Sequence, residues 1–88
     1  MIREKITIKN SAGLHARPAA SLVKLASKYK ADFKIHMYGY TINGKGILGV
    51  MTLAAEQGAE IELEFDGPDE DEAYEAVADL INRGFDED

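Results

Sequence analysis

The chain passes from a loop into a helix through the segment Gly13-Leu14-His15-Ala16-Arg17-Pro18. Glycine permits a turn before the helix, and Pro18 falls in the first helical turn, where an N–H group would have had no acceptor. From His15 or Ala16 to about Tyr29, apolar residues recur at helical spacing. The segment therefore places an imidazole and a guanidinium at the N-terminus of a helix.

Strands on both sides of this helix are indicated by alternation of apolar and polar residues. The alternating segments are residues 2–9, 33–38, 40–43 and 60–66. The apolar run 47–53 is too irregular for a strand and predicts a short helix, and Pro68 is expected to open a last helix that stops at Gly84. The order β-α-β-β-α-β-α predicts one α+β domain over residues 1–88, with an antiparallel sheet covered by helices on one side.

Length and composition exclude several classes of protein. A chain of 88 residues buries roughly 60–65% of its unfolded surface, enough for one domain that folds alone. It contains no cysteine, which excludes a disulfide framework, a thiolate nucleophile and a Cys-ligated zinc. No apolar run approaches the roughly 18–20 residues of a membrane span, and no export signal is recognisable. We therefore expect a cytoplasmic protein without a membrane segment.

Charge is distributed unevenly along the sequence. Residues 1–50 carry nine Lys or Arg against two acidic residues, a net charge of +7, whereas residues 51–88 carry one Arg against fourteen Asp or Glu, a net charge of −13. Such polarity can steer an acidic partner to one face. Nucleic acid is not expected as a partner, because the basic residues neither cluster nor alternate with aromatic residues.

The helix start has the chemistry for holding a phosphoryl group. The first N–H groups of a helix lack intrahelical acceptors, so a phosphate on His15 can accept hydrogen bonds from the N–H groups of Ala16 and Arg17. The guanidinium of Arg17 is always charged and binds phosphate oxygens in a bidentate manner. A single histidine near a helix start is more often merely structural, so these residues alone leave both interpretations open.

Other polar groups do not suggest a second site. His36 is expected on the exposed strand face with Lys34, without the neighbouring ligands that a metal site needs. The acidic run Asp69–Glu72 suits the positive end of the last helix and lacks calcium-loop spacing. No nucleotide-binding glycine loop is present, so neither ATP, nor a metal, nor another cofactor is expected.

The sequence resembles the HPr family, the histidine phosphocarriers of the bacterial phosphotransferase system. Residues 13–19 resemble the family's phosphorylation site, and residues 47–53 are similar to its second signature. Gly58-Ala59-Glu60-Ile61 and Gly67-Pro68-Asp69-Glu70 match the later layout of the family. The resemblance covers essentially the whole chain.

This resemblance implies an open-faced β-sandwich of four antiparallel strands with three helices on one face. It implies that enzyme I, phosphorylated by phosphoenolpyruvate, passes a phosphoryl group to Nδ1 of His15. The carrier then donates the group to an EIIA-type protein for sugar uptake. The family is a set of carriers, so the chain is expected to be a monomeric phosphocarrier and not an enzyme. Arg17 matches the family's phosphate-contacting arginine, and Pro18 its fixed helix start.

The second signature matches the family's exposed apolar docking patch. The patch residues are Ile47, Leu48 and Met51, which share one helical face, although each of them taken alone is as readily a core residue. The basic residues Lys24 and Lys28 are expected nearby on the first helix.

Two features of the sequence concern the regulation of the protein and the pathway in which it acts. Gly46 occupies the position of a regulatory serine in many members and has no hydroxyl, so phosphorylation there is excluded. Residues 84–88, Gly84-Phe85-Asp86-Glu87-Asp88, resemble the end of nitrogen-related paralogues. The alternatives to a sugar-uptake carrier are therefore a nitrogen-related regulatory phosphorelay and a binding module that acts through the docking patch.

Overall fold

The computed structural model of the protein describes residues 1–87. Its elements follow the expected order β-α-β-β-α-β-α and end in a tight turn over Gly84–Asp86. They are β1 (Ile2–Thr7), α1 (Ala16–Ala26), β2 (Asp32–Met37), β3 (Tyr40–Asn43), α2 (Ile47–Thr52), β4 (Glu60–Asp66) and α3 (Glu70–Asn82). Asp88, the last residue of the nitrogen-related resemblance, lies outside the described residues.

The four strands form one sheet in the order β1-β4-β2-β3, and every neighbouring pair is antiparallel. The apolar residues of each strand point to the side where the three helices pack. Ile61, Leu63 and Phe65 of the central strand are all 1% exposed or less. The predicted α+β architecture, an open-faced sandwich, is therefore confirmed.

The core is organised around two stacked aromatic rings. Phe33 of β2 and Phe65 of β4 lie with ring centroids 4.4 Å apart and planes 3° from parallel. The helices cover these rings with buried side chains that include Leu22 of α1, Val50 of α2 and Val77 of α3. Each such side chain contributes about 1.5–3 kcal/mol by leaving water. The core thus fixes all three helices against one face of the sheet.

Three predicted boundaries differ from the structure by two or three residues, for identifiable reasons. Strand β1 ends at Thr7, two residues early, because the chain turns toward Asn10, which is fully buried. Helix α1 ends at Ala26 and not near Tyr29, because its last turn tightens into i to i+3 hydrogen bonds. Pro68 does not open α3, which begins at Glu70 with Asp69 as its N-cap residue.

On the open face of the sheet, basic residues from the first half of the sequence lie next to acidic residues from the second half. There β4 carries acidic residues between the basic residues of β1 and β2. Arg3 Nε lies 2.7 Å from Glu62 Oε1, and His36 Nε2 lies 3.0 Å from Glu64 Oε1. His36 Nδ1 also lies 2.8 Å from the hydroxyl oxygen of Thr41. The expectation that His36 lacks a nearby ligand group is wrong, because the strand register brings Glu64 beside it.

Asp69 ties the start of α3 to the loop after α1. Its two carboxylate oxygens accept hydrogen bonds of 2.8 Å from the N–H groups of Lys30 and Ala31. The side chain makes no capping hydrogen bond to its own helix, and the other acidic residues of the run, Glu70, Asp71 and Glu72, occupy the first turn of α3 as expected. Donation by the Lys30 N–H group is the main reason why the pKa of Asp69 lies below its ordinary value of 3.8.

We expect Asp69→Asn to lower the melting temperature by several degrees at pH 7, because an amide cannot accept both N–H groups. A carboxyl group whose pKa is lower in the folded protein adds stability above its unfolded pKa and loses it as the pH falls through the folded pKa. The difference between wild type and variant should therefore shrink below about pH 4. Thermal melts from pH 7 to pH 3 test this, with Asp71→Asn as the control. A difference that is constant across this range would contradict it.

Candidate functional site

His15 stands at the N-terminus of α1 as its N-cap residue, in an extended conformation with φ −89° and ψ −165°. Its ring makes no capping hydrogen bond, and its side chain is 50% exposed. The first helical bond runs from Ala19 N–H to the His15 carbonyl at 2.9 Å. The N–H groups of Ala16 and Arg17, which precede it, thus have no acceptor inside the helix. The predicted phosphate-binding groups therefore lie together beside the imidazole.

Hydrogen bonds and close packing of the preceding loop fix the position of the start of α1. Leu14 is 2% exposed, and its N–H group donates to the Ala55 carbonyl at 2.8 Å. Gly13 precedes it with φ +71°, and a Cβ atom there would lie 2.2 Å from the same carbonyl oxygen. The buried Asn10 side chain donates from Nδ2 to the Gly13 carbonyl at 2.9 Å. Glycine is therefore required where two backbone segments meet next to His15.

The docking patch (Ile47, Leu48 and Met51) lies on α2, which packs against α1. These side chains are 41%, 77% and 38% exposed, whereas Val50 between them is fully buried. The expected exposure of the patch is therefore confirmed, and the alternative that all three residues belong to the core is wrong. Lys24 is exposed in the last turn of α1, and Lys28 is exposed just beyond it.

The structure brings one residue of the patch, Met51, and the histidine to one depression of about 360 Å³. His15, Ala16 and Met51 line it, together with the loop at Ala54–Glu56. Gly46 lies at the opposite end of α2, as its N-cap residue. The depression therefore presents the His15 imidazole next to the apolar side chain of Met51.

Glu87 is a site residue that sequence reasoning missed. Its Oε1 atom lies 3.8 Å from His15 Nε2, and its Oε2 atom lies 4.0 Å from Arg17 Nη1. Asn10 Nδ2 donates to the same Oε1 atom at 3.1 Å. The Glu87 side chain is 12% exposed, whereas that of Arg17 is 81% exposed. The start of α1 therefore has a carboxylate near both the His15 imidazole and the Arg17 guanidinium.

The backbone that carries Glu87 is strained. We call residues Gly84–Glu87 the tail turn. Gly84, Phe85 and Asp86 have φ values of +65°, +57° and +60°, and each non-glycine residue in this left-handed region costs about 1–2 kcal/mol. The turn is held by the buried Phe85 ring and by a 2.9 Å bond from Arg83 Nε to Asp86 Oδ1. The positive φ of Gly84 agrees with the predicted helix stop at this glycine, whereas no sequence signal points to its continuation through Phe85 and Asp86.

Within residues 1–87, no three His, Asp or Glu side chains converge as a metal ion would require. None of the helices in this part of the chain is both long and apolar enough to span a membrane.

Comparison with known proteins agrees with this geometry. The family model described as the PTS HPr component phosphorylation site matches residues 2–83. Phosphocarrier protein HPr of Xylella fastidiosa is 41% identical over 88 residues, which are 100% of this chain and 99% of that protein.

Solved structures extend the similarity to three dimensions. The crystal structure of HPr-C-His from Thermoanaerobacter tengcongensis superposes with a TM-score of 0.96 at 42% identity, covering 100% of this chain and 99% of that one. A crystal structure of an HPr dimer from the same organism gives a TM-score of 0.77 at 42% identity, covering 97% and 98%. The expected monomer therefore stays a prediction. By its sequence and its fold, the chain belongs to the HPr family of phosphocarrier proteins of the phosphotransferase system.

Proposed function

We propose that this phosphocarrier accepts a phosphoryl group on Nδ1 of His15 from phosphorylated enzyme I and passes it to EIIA-type proteins in sugar uptake, in the cytoplasm. The observation that carries the proposal is the open start of α1, where a half-exposed imidazole is followed by two N–H groups without an acceptor inside the helix and by the exposed Arg17 side chain. These groups match the oxygens and the charge of a phosphoryl group.

The transfer needs an unprotonated ring nitrogen. The bond between phosphorus and the donor atom breaks as the bond to Nδ1 forms, and the electron pair of the broken bond stays with the donor. The Glu87 carboxylate on the Nε2 side favours the tautomer with a proton on Nε2, which leaves the Nδ1 lone pair free. The N–H groups of Ala16 and Arg17 then stabilise the charge on the transferred group.

Phosphorylation assays test the proposal directly. The purified protein is incubated with enzyme I and phosphoenolpyruvate carrying a labelled phosphoryl group. We expect one acid-labile phosphoryl group per chain, and no label when enzyme I is left out. Absence of label with active enzyme I, or an acid-stable product, would overturn the proposal.

The docking patch supports a partner surface next to the histidine. An apolar group with a polar rim suits brief protein contacts, because it releases water on binding and keeps charges at its edge. Lys24 supplies such a charge on the neighbouring helix. We therefore propose that enzyme I and EIIA proteins contact Ile47, Leu48 and Met51 while His15 reacts.

We expect Met51→Glu to raise the KM for this carrier in transfer from enzyme I by about tenfold, because a charge must be desolvated in an apolar contact. The matched control is Tyr40→Glu, which puts the same charge on an exposed side chain of β3 outside the patch. Steady-state transfer rates over a range of carrier concentrations measure both variants. Equal effects of the two substitutions would argue against the patch.

Comparison of Met51→Glu with His15→Ala distinguishes a phosphocarrier from a pure binding module. A module needs no nucleophile, so it would keep every activity in a His15→Ala variant and lose it only with Met51→Glu.

The tail turn favours a second candidate, the nitrogen-related phosphorelay. Residues 84–88, which resemble that branch, include the carboxylate that lies beside His15 and Arg17. A panel of sugar-specific and nitrogen-related EIIA acceptors distinguishes the two pathways. Transfer rates that are higher for nitrogen-related acceptors would replace sugar uptake with the regulatory relay.

A further inference from the structure

Asn10 is a buried polar side chain in the loop that leads from β1 to α1. It is 0% exposed, and within residues 1–87 no other polar or charged residue is buried. Its Nδ2 atom donates to the Gly13 carbonyl at 2.9 Å and to Glu87 Oε1 at 3.1 Å, whereas Oδ1 meets no donor in the same part of the chain. Both neighbours of Nδ2 are acceptors, so the amide can only be placed with its nitrogen on that side.

The amide of Asn10 adds little to the stability of the fold. Its two donated hydrogen bonds stabilise the folded state modestly, and the buried oxygen offsets them, because an acceptor without a donor costs about as much free energy as a hydrogen bond returns, or more. An apolar side chain of the same shape would fill the space without that cost. What Asn10 contributes is therefore the direction of its hydrogen bonds.

The peptide group between Gly13 and Leu14 is held at both of its polar atoms. Its carbonyl oxygen accepts the bond from Asn10, and its N–H group donates to the Ala55 carbonyl at 2.8 Å. The Gly13 N–H group also donates to the Asn10 carbonyl at 3.2 Å, which closes the turn. The plane of this peptide therefore cannot rotate without breaking a hydrogen bond on one side.

This held peptide fixes the backbone of His15 from the N-terminal side. Only Leu14 separates the two, and its side chain is 2% exposed. On the C-terminal side, the His15 carbonyl accepts the first helical bond from Ala19. The His15 ring makes no capping hydrogen bond, so the backbone on either side is the main restraint on where its nitrogen atoms lie.

We propose that Asn10 is a positioning residue for phosphoryl transfer: its amide orients the peptide between Gly13 and Leu14 and thereby sets the position of the His15 imidazole. This inference rests on the proposed function, because it takes His15 as the residue that reacts. Transfer requires the ring nitrogen to approach phosphorus in line, and a displacement of about 1 Å can slow such a step by up to roughly a hundredfold. Asn10 acts on the ring through this stretch of backbone.

Asn10→Leu removes the donor and keeps a branched side chain of similar size. We expect the Gly13 carbonyl to rotate toward another donor, which should slow phosphoryl acceptance at saturating enzyme I by about tenfold and leave the KM unchanged. The same loss is expected with phosphoramidate, whose P–N bond breaks as the new P–N bond forms and ammonia leaves, because this small donor needs no docking surface.

The matched control is Gln57→Leu. The Gln57 amide donates to the Lys9 carbonyl at 3.0 Å, so its removal takes a hydrogen bond from the same loop without touching the peptide before His15. We expect this variant to keep the wild-type rate with both donors. All rates are compared at a temperature at which thermal melts show every variant to be folded.

Hydrogen exchange provides a readout that a purely stabilising role would not move. In Asn10→Leu, exchange of the Leu14 N–H group should accelerate by about tenfold, whereas the Ala19 N–H group, which makes the first bond of α1, should keep its rate. Gln57→Leu should change neither. Asn10→Ala, a second variant without the donor, should reproduce both changes of Asn10→Leu.

The outcomes separate this inference from the proposed function. If folded Asn10→Leu is phosphorylated at the wild-type rate, or loses no more than Gln57→Leu, the positioning role is wrong and the carrier function stands. Equal acceleration of exchange at Leu14 and Ala19, or failure of both Asn10 variants to fold, would also overturn it, since the amide would then act on stability. If neither donor phosphorylates the wild type, the proposed function fails first, and unchanged exchange at Leu14 would show that Asn10 does not orient this peptide either.

Discussion

Replacing His15 with alanine should abolish phosphoryl acceptance while leaving the fold intact. The ring is half exposed and makes no capping hydrogen bond to α1, so its loss removes no buried contact. Exposed substitutions of this kind usually change stability by less than about 0.5 kcal/mol. Incorporation of label from enzyme I and phosphoenolpyruvate should fall below detection, and the thermal melt should shift by no more than a few degrees.

The second histidine provides the control for this experiment. His36 lies on the open face of the sheet, between Thr41 and Glu64, and the helices cover the opposite face. We expect His36→Gln to keep full labelling, because it leaves His15, Ala16 and Arg17 untouched. Label in His15→Ala, or its loss in His36→Gln, would move the phosphorylation site away from the helix start.

Sequence patterns predicted most of the architecture because the sheet has one solvent face. Alternation is strong where polar and apolar sides differ, as in β4, whose inward residues are buried and whose outward residues are acidic. Helix α2 was predicted because the apolar run 47–53 does not alternate, and in the structure Val50 is buried while the docking patch is exposed. His15, Ala16 and Arg17 were predicted as one group since they are consecutive and a helix start has a known geometry.

Contacts between distant segments were beyond the reach of these patterns. The Glu87 carboxylate reaches His15 only because α3 runs back along α1 and a left-handed turn follows it. Phe85 and Asp86 rarely adopt such angles, so local preference predicts the wrong backbone there. The link from Asp69 to the loop after α1 is likewise invisible in a sequence, where the acidic run suggests only a helix start.

Gly13→Ala should be the most damaging small substitution at the site. Alanine at φ +71° costs about 1–2 kcal/mol, and its Cβ atom would lie 2.2 Å from the Ala55 carbonyl oxygen. Relief of that overlap must separate two backbone segments, which adds a further roughly 1–3 kcal/mol. We expect a total loss of about 2–5 kcal/mol in the free energy of unfolding, measured by urea denaturation.

Gly58→Ala separates the two causes of this loss. Gly58 has φ +86°, yet a Cβ atom there would have no neighbour within 4 Å, so its substitution carries the backbone cost alone. The Leu14 N–H bond to Ala55 must lengthen in Gly13→Ala, and that shift moves His15 relative to Met51 across their shared depression. Gly13→Ala should therefore slow phosphoryl transfer even at temperatures where it is fully folded, and Gly58→Ala should not. Equal stability losses and equal transfer rates in the two variants would mean that the close approach at Ala55 does not position the phosphorylation site.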